Sequence, residues 1–367
     1  MKKVITMLLT GVMVLGLLAG CGGENGQQTA GTPQSGAPAQ TPAPASDSGQ
    51  TWQLNLGNIS IDPASVQEYN SIGRAIQYFA DKTGEYTDGR VAVTCHWSSV
   101  LGSNVSMFEE VMMNSLDFHV GQPMSSADAR FACWNLPFVF ENYDEIRAAT
   151  RRDGGPVFAL SAGWMEERGV KLLAMGVGSM RGFVSSKPVY VPADARDLKI
   201  RTYEDALVNT FWGKIGTASI IPGSEIYSAL QTKTVDAMEF HPVGVVSYKL
   251  YEVADYFTDL NWQWTCGAVL TCPMELWNSW PAEIQEAVQK AADEYAEMQY
   301  QWEVEDNKTV YGVIEDNGMT VLEPTDEQRQ AWHDVADGLE DWFKEYVGAD
   351  VYTAYMEAAE QAKASLG

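Results

Sequence analysis

Residues 198–213, LKIRTYEDALVNTFWG, join a short strand pattern to a helix pattern, with an arginine where the two meet. Two apolar residues alternate with Lys199 and Arg201, as in a strand with one buried face. Ligands of open α/β sheets bind beyond the carboxyl ends of the strands, and a guanidinium there offers a planar fork that matches a carboxylate. The stretch therefore predicts an α/β fold with Arg201 at a ligand site. The alternative is a surface arginine paired with Glu204 or Asp205.

The alternation of strand and helix patterns continues on both sides of this stretch. Strand patterns such as WQLNLGN and RVAVTCHW are separated by helix patterns, the first of them over residues 64–82 and closed by Thr83 and Gly84. Such alternation favours parallel sheets. From Pro281, apolar residues recur at helical spacing to about residue 317, a length near 50 Å. The roughly 315 residues after the amino-terminal segment exceed what one hydrophobic core usually serves, so we expect two lobes.

The amino-terminal segment has a composition of its own. Two lysines precede an apolar run that is too short for a membrane span and is typical of a secretory signal. The run ends in Leu-Ala-Gly-Cys, which resembles the bacterial lipobox. We therefore predict a lipoprotein signal peptide over residues 1–20, lipidation of Cys21, and a disordered linker rich in Gly, Pro, Ser and Thr over residues 21–50. These features predict an extracytoplasmic protein, lipid-anchored to the bacterial cell membrane.

Charge and residue spacing argue against several function classes. The chain has 49 acidic and 24 basic residues, a formal net charge of −25, so nucleic acid is a poor partner. The four histidines show no metal-site spacing, and the sequence contains no nucleophile elbow or phosphate loop. We therefore predict neither an enzyme nor a metal or cofactor site. Beyond Cys21 there are four cysteines, which are either free thiols or include a Cys95–Cys133 bridge.

Several segments together resemble one protein family. SSKPVYVPADARDLKIRT (185–202), GTASIIPGSEIYSALQTKTVDAMEF (216–240) and WNLPFVFENYDE (134–145) resemble, in the same order, motifs of the DctP-like solute-binding proteins of TRAP transporters, the tripartite ATP-independent periplasmic transporters. The resemblance covers about residues 52–300. It implies a periplasmic-binding-protein-like fold of two lobes with a ligand cleft between them and a long lobe-spanning helix.

The resemblance also implies boundaries, a ligand and partners. Lobe I would comprise residues 51–178 and 267–306, and lobe II residues 179–266 and 307–367. The position of Arg201 clamps the ligand carboxylate in the family, and Arg181 matches a second family arginine. The partners implied are a small-molecule carboxylate and the membrane subunits of a TRAP permease.

The sequence departs from the family pattern where polar ligands would be bound. Asn104 stands where many members have Glu, and Phe240 follows Glu239 where many sugar-acid binders have Asn. These changes favour a less polar or aromatic carboxylate over a sugar acid, because unpaired buried polar groups are costly. The candidate aromatic walls, each with core packing as its alternative, are Trp97, Trp134, Phe240 and Trp264.

Other functions stay open at this stage. Glu239-Phe240-His241-Pro242 also resembles family members that bind 2-oxo acids through a cation, for which Glu239 would be a ligand. A sensory lipoprotein that presents the same ligand to a receptor has the same sequence features. An extracytoplasmic enzyme and a structural lipoprotein that binds nothing are the remaining alternatives.

Overall fold

The structure, a computed structural model, describes residues 49–367. The predicted signal peptide, Cys21 and nearly all of the linker lie outside the described residues. The strands are β1 (Trp52–Asn58), β2 (Val91–His96), β3 (Phe118–Val120), β4 (Val170–Met175), β5 (Ser179–Ser185), β6 (Lys199–Thr202), β7 (Thr217–Ile220), β8 (Ala237–Phe240), β9 (Tyr256–Thr265), β10 (Val269–Pro273) and β11 (Thr320–Leu322).

The helices alternate with these strands along most of the chain. They are α1 (Ser71–Tyr86), α2 (Asn104–Met112), α3 (Tyr143–Thr150), α4 (Pro156–Glu166), α5 (Ala206–Ile215), α6 (Ile226–Gln231), α7 (Pro242–Ser247), α8 (Met274–Ser279), α9 (Ala282–Asp316), α10 (Asp326–Asp337), α11 (Glu340–Val347) and α12 (Ala349–Ala364).

The strands form two sheets, which define the two lobes used below. The first lobe is built on a five-stranded sheet of order β2-β1-β3-β10-β4, and the second on a six-stranded sheet of order β11-β9-β5-β8-β6-β7. The predicted two-lobed α/β fold is confirmed. The expectation of parallel sheets was wrong in part, because β10 runs antiparallel to β3 and β4, and β5 antiparallel to β8 and β9.

The antiparallel strands are the ones that pass between the lobes. β4 leads through residues 176–178 into β5, and β9 leads through residues 266–268 into β10, so the two passages run in opposite directions. β1, β2 and β3 run in the direction of β4, and β6, β7 and β8 in the direction of β9. The carboxyl ends of both sets of strands therefore point toward the other lobe, which places a cleft between them.

The long helix predicted from Pro281 is α9. It extends over 35 residues, or about 50 Å. Near its start, Val288 and Tyr295 pack in the core of the first lobe, and near its end Val310 and Ile314 pack in the core of the second. The prediction of a lobe-spanning helix is confirmed.

Three local features differ from, or complete, the sequence-based expectations. Helix α1 begins at Ser71 rather than residue 64, because Asn70 caps it by accepting a hydrogen bond from the Gly73 amide, and it continues to Tyr86 through the expected stop. Helix α12, which the sequence placed in lobe II, packs against α3 and α4 beside the first sheet. The four cysteines of the described region are free thiols: Cys95, Cys133, Cys266 and Cys272.

Candidate ligand-binding site

Three charged side chains come together on neighbouring strands of the second lobe. Arg181 lies on β5, Glu239 on β8 and Arg201 on β6, which are adjacent in the sheet order. Their exposed fractions are 5% for Arg181, 0% for Glu239 and 4% for Arg201. Glu239 and Arg201 lie near the carboxyl ends of their strands, and Arg181 lies near the passage from the first lobe. The three side chains therefore form a buried charged cluster on the cleft side of the sheet.

Every guanidinium nitrogen of Arg181 donates a hydrogen bond within the protein. Its Nε donates to the Glu239 carboxylate, its Nη2 donates to the Glu239 carbonyl oxygen at 3.2 Å, and its Nη1 donates to Thr265 Oγ1 at 3.0 Å. Each of the three guanidinium nitrogens thus has an acceptor. This arginine therefore holds the cluster together and uses three of its five N–H donors to do so.

Arg201 is held by one of its nitrogens. Its Nε donates to the Ile221 carbonyl oxygen at 2.9 Å, and its Nη1 lies 4.0 Å from Glu239 Oε1. Within residues 49–367, its two terminal nitrogens make no hydrogen bond, so they can donate to a ligand. The alternative pairing of Arg201 with Glu204 or Asp205 is absent from this part of the chain; Asp205 instead caps α5.

Burial and mutual attraction set the charge states of the cluster. Burial raises the pKa of Glu239, and the two arginines oppose that shift. Burial lowers the pKa of Arg201 to about 10, opposed by the attraction of Glu239 and reinforced by the repulsion of Arg181. Arg201 is therefore a cation at neutral pH. With Glu239 ionised, the cluster carries one positive charge in excess, which favours an anionic ligand.

Aromatic rings surround the charged cluster. The Arg181 guanidinium carbon lies 5.3 Å from the Tyr203 ring centre and 5.5 Å from that of Phe240, within cation–π range. Tyr248 packs edge-on against Phe240 at 5.6 Å. These rings give the site an apolar lining beside its positive charge.

The first lobe contributes polar side chains that meet the second lobe. Asn135 Oδ1 accepts hydrogen bonds from Gln122 at 2.5 Å, Gln263 at 2.9 Å and the Tyr203 hydroxyl at 3.2 Å, while its Nδ2 donates to Asp205 at 2.9 Å. These groups satisfy one another. The network joins the lobes next to the charged cluster and leaves few free donors for a ligand rich in hydroxyl groups.

The remaining predicted site residues occupy different places. Asn104 begins α2 and lies at the carboxyl end of β3, where its side chain bonds the Gln122 carbonyl and His119. Trp97 follows β2 and packs partly buried against the core of the first lobe. The structure therefore brings Arg181, Arg201, Glu239 and Phe240 together and places Asn104 and Trp97 on the opposite lobe.

Trp134 and Trp264 are core residues, which corrects their prediction as cleft walls. The Trp134 ring stacks on Phe131 at 5.0 Å, and its N–H donates to Ser161. Trp264 lies on the face of β9 opposite to Gln263 and Thr265, and its N–H donates to the Val177 carbonyl. The sequence could not distinguish the two roles, because an aromatic residue in an apolar pattern has the same signature in a cleft wall and in a core.

Sequence analysis missed Tyr203, Gln263 and Asn135. Tyr203 stands two residues after Arg201 at the end of the same strand, so the rule that pointed to Arg201 could have found it. Gln263 carried a weaker signal, as a polar residue within the otherwise apolar NWQWT.

The surroundings of Glu239 also bear on its prediction as a cation ligand. Two guanidinium groups flank it, a setting that disfavours a bound cation.

Fold and site together define a two-lobed α/β binding protein with an arginine in its cleft. The model of the DctP family, described as bacterial extracellular solute-binding protein, family 7, matches residues 64–345. The chain belongs to this family, and the resemblance drawn from the sequence is confirmed. Its members are solute-binding proteins, and this chain is one of them rather than an enzyme.

Individual relatives agree with this assignment. The chain is 25% identical over 293 residues to the C4-dicarboxylate-binding periplasmic protein DctP of Rhodobacter capsulatus, covering 78% of this chain and 86% of that protein. It is 28% identical over 291 residues to the 2,3-diketo-L-gulonate-binding periplasmic protein YiaO of Escherichia coli, covering 77% and 87%.

Solved structures share the fold. A TRAP periplasmic solute-binding protein of Haemophilus influenzae with bound L-gulonate has a TM-score of 0.77 at 22% identity, covering 85% of this chain and 100% of that one. One from Shewanella oneidensis with bound succinate has a TM-score of 0.76 at 20% identity, covering 84% of this chain and 99% of that one.

Across residues 49–367, no helix has the length and apolar character needed to cross a membrane.

Proposed function

We propose that this protein binds a small organic acid by its carboxylate for uptake through a TRAP permease. The observation that carries the proposal is the contrast between the two buried arginines. Each guanidinium nitrogen of Arg181 donates to Glu239 or Thr265, whereas the two terminal nitrogens of Arg201 make no hydrogen bond among residues 49–367. A planar pair of donors matches a carboxylate, and each charge-assisted hydrogen bond contributes about 1.5–3 kcal/mol net. Arg201 is thus the proposed carboxylate clamp.

Binding proceeds in the cleft between the lobes. The ligand enters and pairs with Arg201, and closure of the lobes excludes water, which strengthens the pair by lowering the local dielectric constant. Arg181 and Glu239 position the site, and Phe240 packs against the body of the ligand. Asn104 and Trp97 contribute from the first lobe. The loaded protein then docks on the permease and releases the ligand to it.

The proposed ligand is a less polar or aromatic carboxylate. Tyr203, Phe240 and Tyr248 support it, since they line the charged cluster with rings. The mutual hydrogen bonding of Asn135 and Gln263 supports it too, because a polyhydroxy acid would find those groups in use. The named relatives bind C4-dicarboxylates and sugar acids, so both classes belong in any ligand test.

Thermal denaturation of the purified protein against a library of carboxylates tests the proposal. The library includes aromatic acids, 2-oxo acids, dicarboxylates and sugar acids. A ligand at 100 times its Kd adds about 2.7 kcal/mol, a shift of about 4 °C in a protein of this size. The shift should vanish in Arg201→Ala and persist in Arg196→Ala, an exposed arginine five residues away. A shift that survives Arg201→Ala would refute the clamp.

We further propose that the protein is held at the outer face of the membrane by lipid on Cys21. The lipobox-like sequence and the Gly- and Pro-rich linker support this anchor. Fractionation of cells that express Cys21→Ala should move the protein from the membrane to the soluble fraction. An unchanged membrane association would remove the lipid anchor from the proposal while leaving ligand binding untouched.

A further inference from the structure

The two chain passages between the lobes lie side by side. The Gly176 amide donates to the Ala268 carbonyl oxygen at 2.8 Å, which joins residues 176–178 to residues 266–268. Gly178 has a φ of +58°, in the left-handed region that favours glycine. Any rotation of one lobe against the other must bend the chain at this point. We call residues 176–178 and 266–268 the crossing point.

Helix α9 reaches the crossing point through Gln299. Its Oε1 accepts from the Gly178 amide at 3.2 Å, and its Nε2 donates to the Gly178 carbonyl oxygen, also at 3.2 Å. The same Nε2 donates to Ser71 Oγ of α1 at 3.2 Å. One side chain therefore binds both backbone polar groups of Gly178, a residue of the crossing point.

Glu303 lies one helical turn further along α9 and extends this network. Its carboxylate accepts from Ser71 Oγ at 2.5 Å, from the Tyr143 hydroxyl of α3 at 3.1 Å and from Asn307 Nδ2 at 3.1 Å. Tyr143 in turn accepts from the Met180 amide of β5 at 3.2 Å. The network thus links three helices to the strand that enters the second lobe. Its hydrogen bonds within the described residues go to none of the three charged residues of the ligand site.

Glu303 is fully buried and its hydrogen-bond partners are neutral. The titratable groups that face it are Tyr143 of α3 and Asp306 of its own helix, while Arg74 of α1 pairs with Asp306 at 2.5 Å. Ser179 of β5 faces it as an uncharged donor. Burial raises the pKa of Glu303 to about 7. The carboxyl group therefore changes its charge near neutral pH beside the crossing point.

We propose that Gln299 and Glu303 form a clamp on the crossing point, which sets the balance between open and closed lobes and loosens when Glu303 is ionised. Burial disfavours the ionised carboxylate more than the hydrogen bonds from Ser71, Ser179 and Tyr143 favour it, so the neutral carboxyl group is the more stable form at this site below neutral pH. An ionised group gains free energy by reaching water, so it favours movements that open the network. Gln299 and Glu303 are positioning residues, since they act through the backbone of Gly178 and Met180. Their effect on ligand affinity rests on the proposed function, whereas the clamp itself does not.

Hydrogen exchange of the ligand-free full-length protein tests the clamp directly. The Gly178 and Met180 amides are its two backbone donors, so their protection reports its opening. After correction for the intrinsic pH dependence of exchange, we expect protection to fall more than about tenfold between pH 5 and pH 7 and then to level off. Glu303→Gln should remove this pH dependence. Glu305→Gln, an exposed position on the same helix, should retain it.

Two results would overturn the proposal. Protection of both amides that is flat from pH 5 to pH 7 in the unaltered protein would do so, even if Glu303→Gln fails to fold. An equal slope in Glu303→Gln and in the unaltered protein would do so as well. Gln299→Met provides a second test. Because methionine lacks the side-chain oxygen that accepts from the Gly178 amide, hydrogen exchange of that amide should be faster at every pH. Because no ligand is added, a failure of carboxylate binding leaves this test intact.

Discussion

Arg181 and Glu239 form a buried ion pair that neutralises one guanidinium of the cleft, while Arg201, 4.0 Å from the same carboxylate, makes no hydrogen bond through its terminal nitrogens within the described residues. The pair connects β5 with β8, and Arg181 also bonds the Glu239 backbone. A binding protein with two adjacent arginines would otherwise hold two like charges in a site shielded from water. The pair therefore defines the charge that a ligand meets.

Replacing Glu239 by Gln should destabilise the protein. The substitution keeps the volume but leaves the Arg181 guanidinium buried without its counter-ion, and breaking a buried pair in this way costs about 3–5 kcal/mol. Urea denaturation should show the loss as a lower midpoint. Glu204→Gln, at an exposed position of the adjacent loop, should leave the midpoint in place. Equal midpoints for the two variants would show that the pair contributes nothing to stability.

Arg201→Lys should bind the ligand much more weakly while folding normally. Lysine keeps the positive charge but cannot present two parallel donors to a carboxylate, and it cannot at the same time donate to Ile221 as Nε does. Loss of one charge-assisted hydrogen bond, about 1.5–3 kcal/mol, corresponds to a roughly 10- to 100-fold rise in Kd. Calorimetry with the acid identified in the screen measures it, with Arg196→Lys as the matched control. Unchanged affinity would show that charge alone suffices at this position.

Gly178→Ala should destabilise the protein by more than about 1 kcal/mol. Its φ of +58° is unfavourable for alanine, and a Cβ atom there would collide with the Thr265 carbonyl oxygen. Gly163→Ala gives the opposite expectation, because Gly163 lies inside α4 with open space around it, where alanine gains up to about 1 kcal/mol. Denaturation midpoints of the two variants should lie on opposite sides of the midpoint of the unaltered protein. A neutral Gly178→Ala would argue that the crossing point adapts to a side chain.

The stability of the protein should carry a pH dependence that comes from Glu303. Its pKa is raised from 4.5 to about 7 by burial, so the folded state binds the proton more tightly than the unfolded state. The contribution is fully present below pH 4.5 and is lost as the pH rises to about 7, a change of about 3 kcal/mol. The difference in unfolding free energy between the unaltered protein and Glu303→Gln should follow this course. A constant difference from pH 4.5 to pH 7 would contradict it.

The sequence predicted the fold where local patterns were strong. Periodicity placed α9 almost to the residue, from Pro281 to about residue 317. Patterns of this kind depend on the residues of one element, so the sequence carries them directly. The direction of β5 and β10 was not accessible in the same way, because it depends on which sheet each strand joins.

The candidate site was likewise predictable where its residues lie in local motifs, and not where it depends on strand pairing. Arg181, Arg201 and Glu239 lie in motif-bearing strands, and the structure brings them together. The ion pair between two of them was not foreseen, since it depends on the pairing of β5 with β8. The misassigned tryptophans have the same origin: which face of a strand meets the cleft depends on the register, as Trp264 beside Gln263 shows.

The position of β10 within the first sheet has a consequence for the order in which the molecule can fold. β10 lies between β3 and β4, yet its residues follow almost all of the second sheet along the chain. A nascent chain that ends at residue 265 therefore lacks the strand that joins β3 to β4. The first lobe cannot mature until the second has been synthesised, and such distant pairings make folding slow. Completion of the first lobe therefore waits for the last third of the polypeptide.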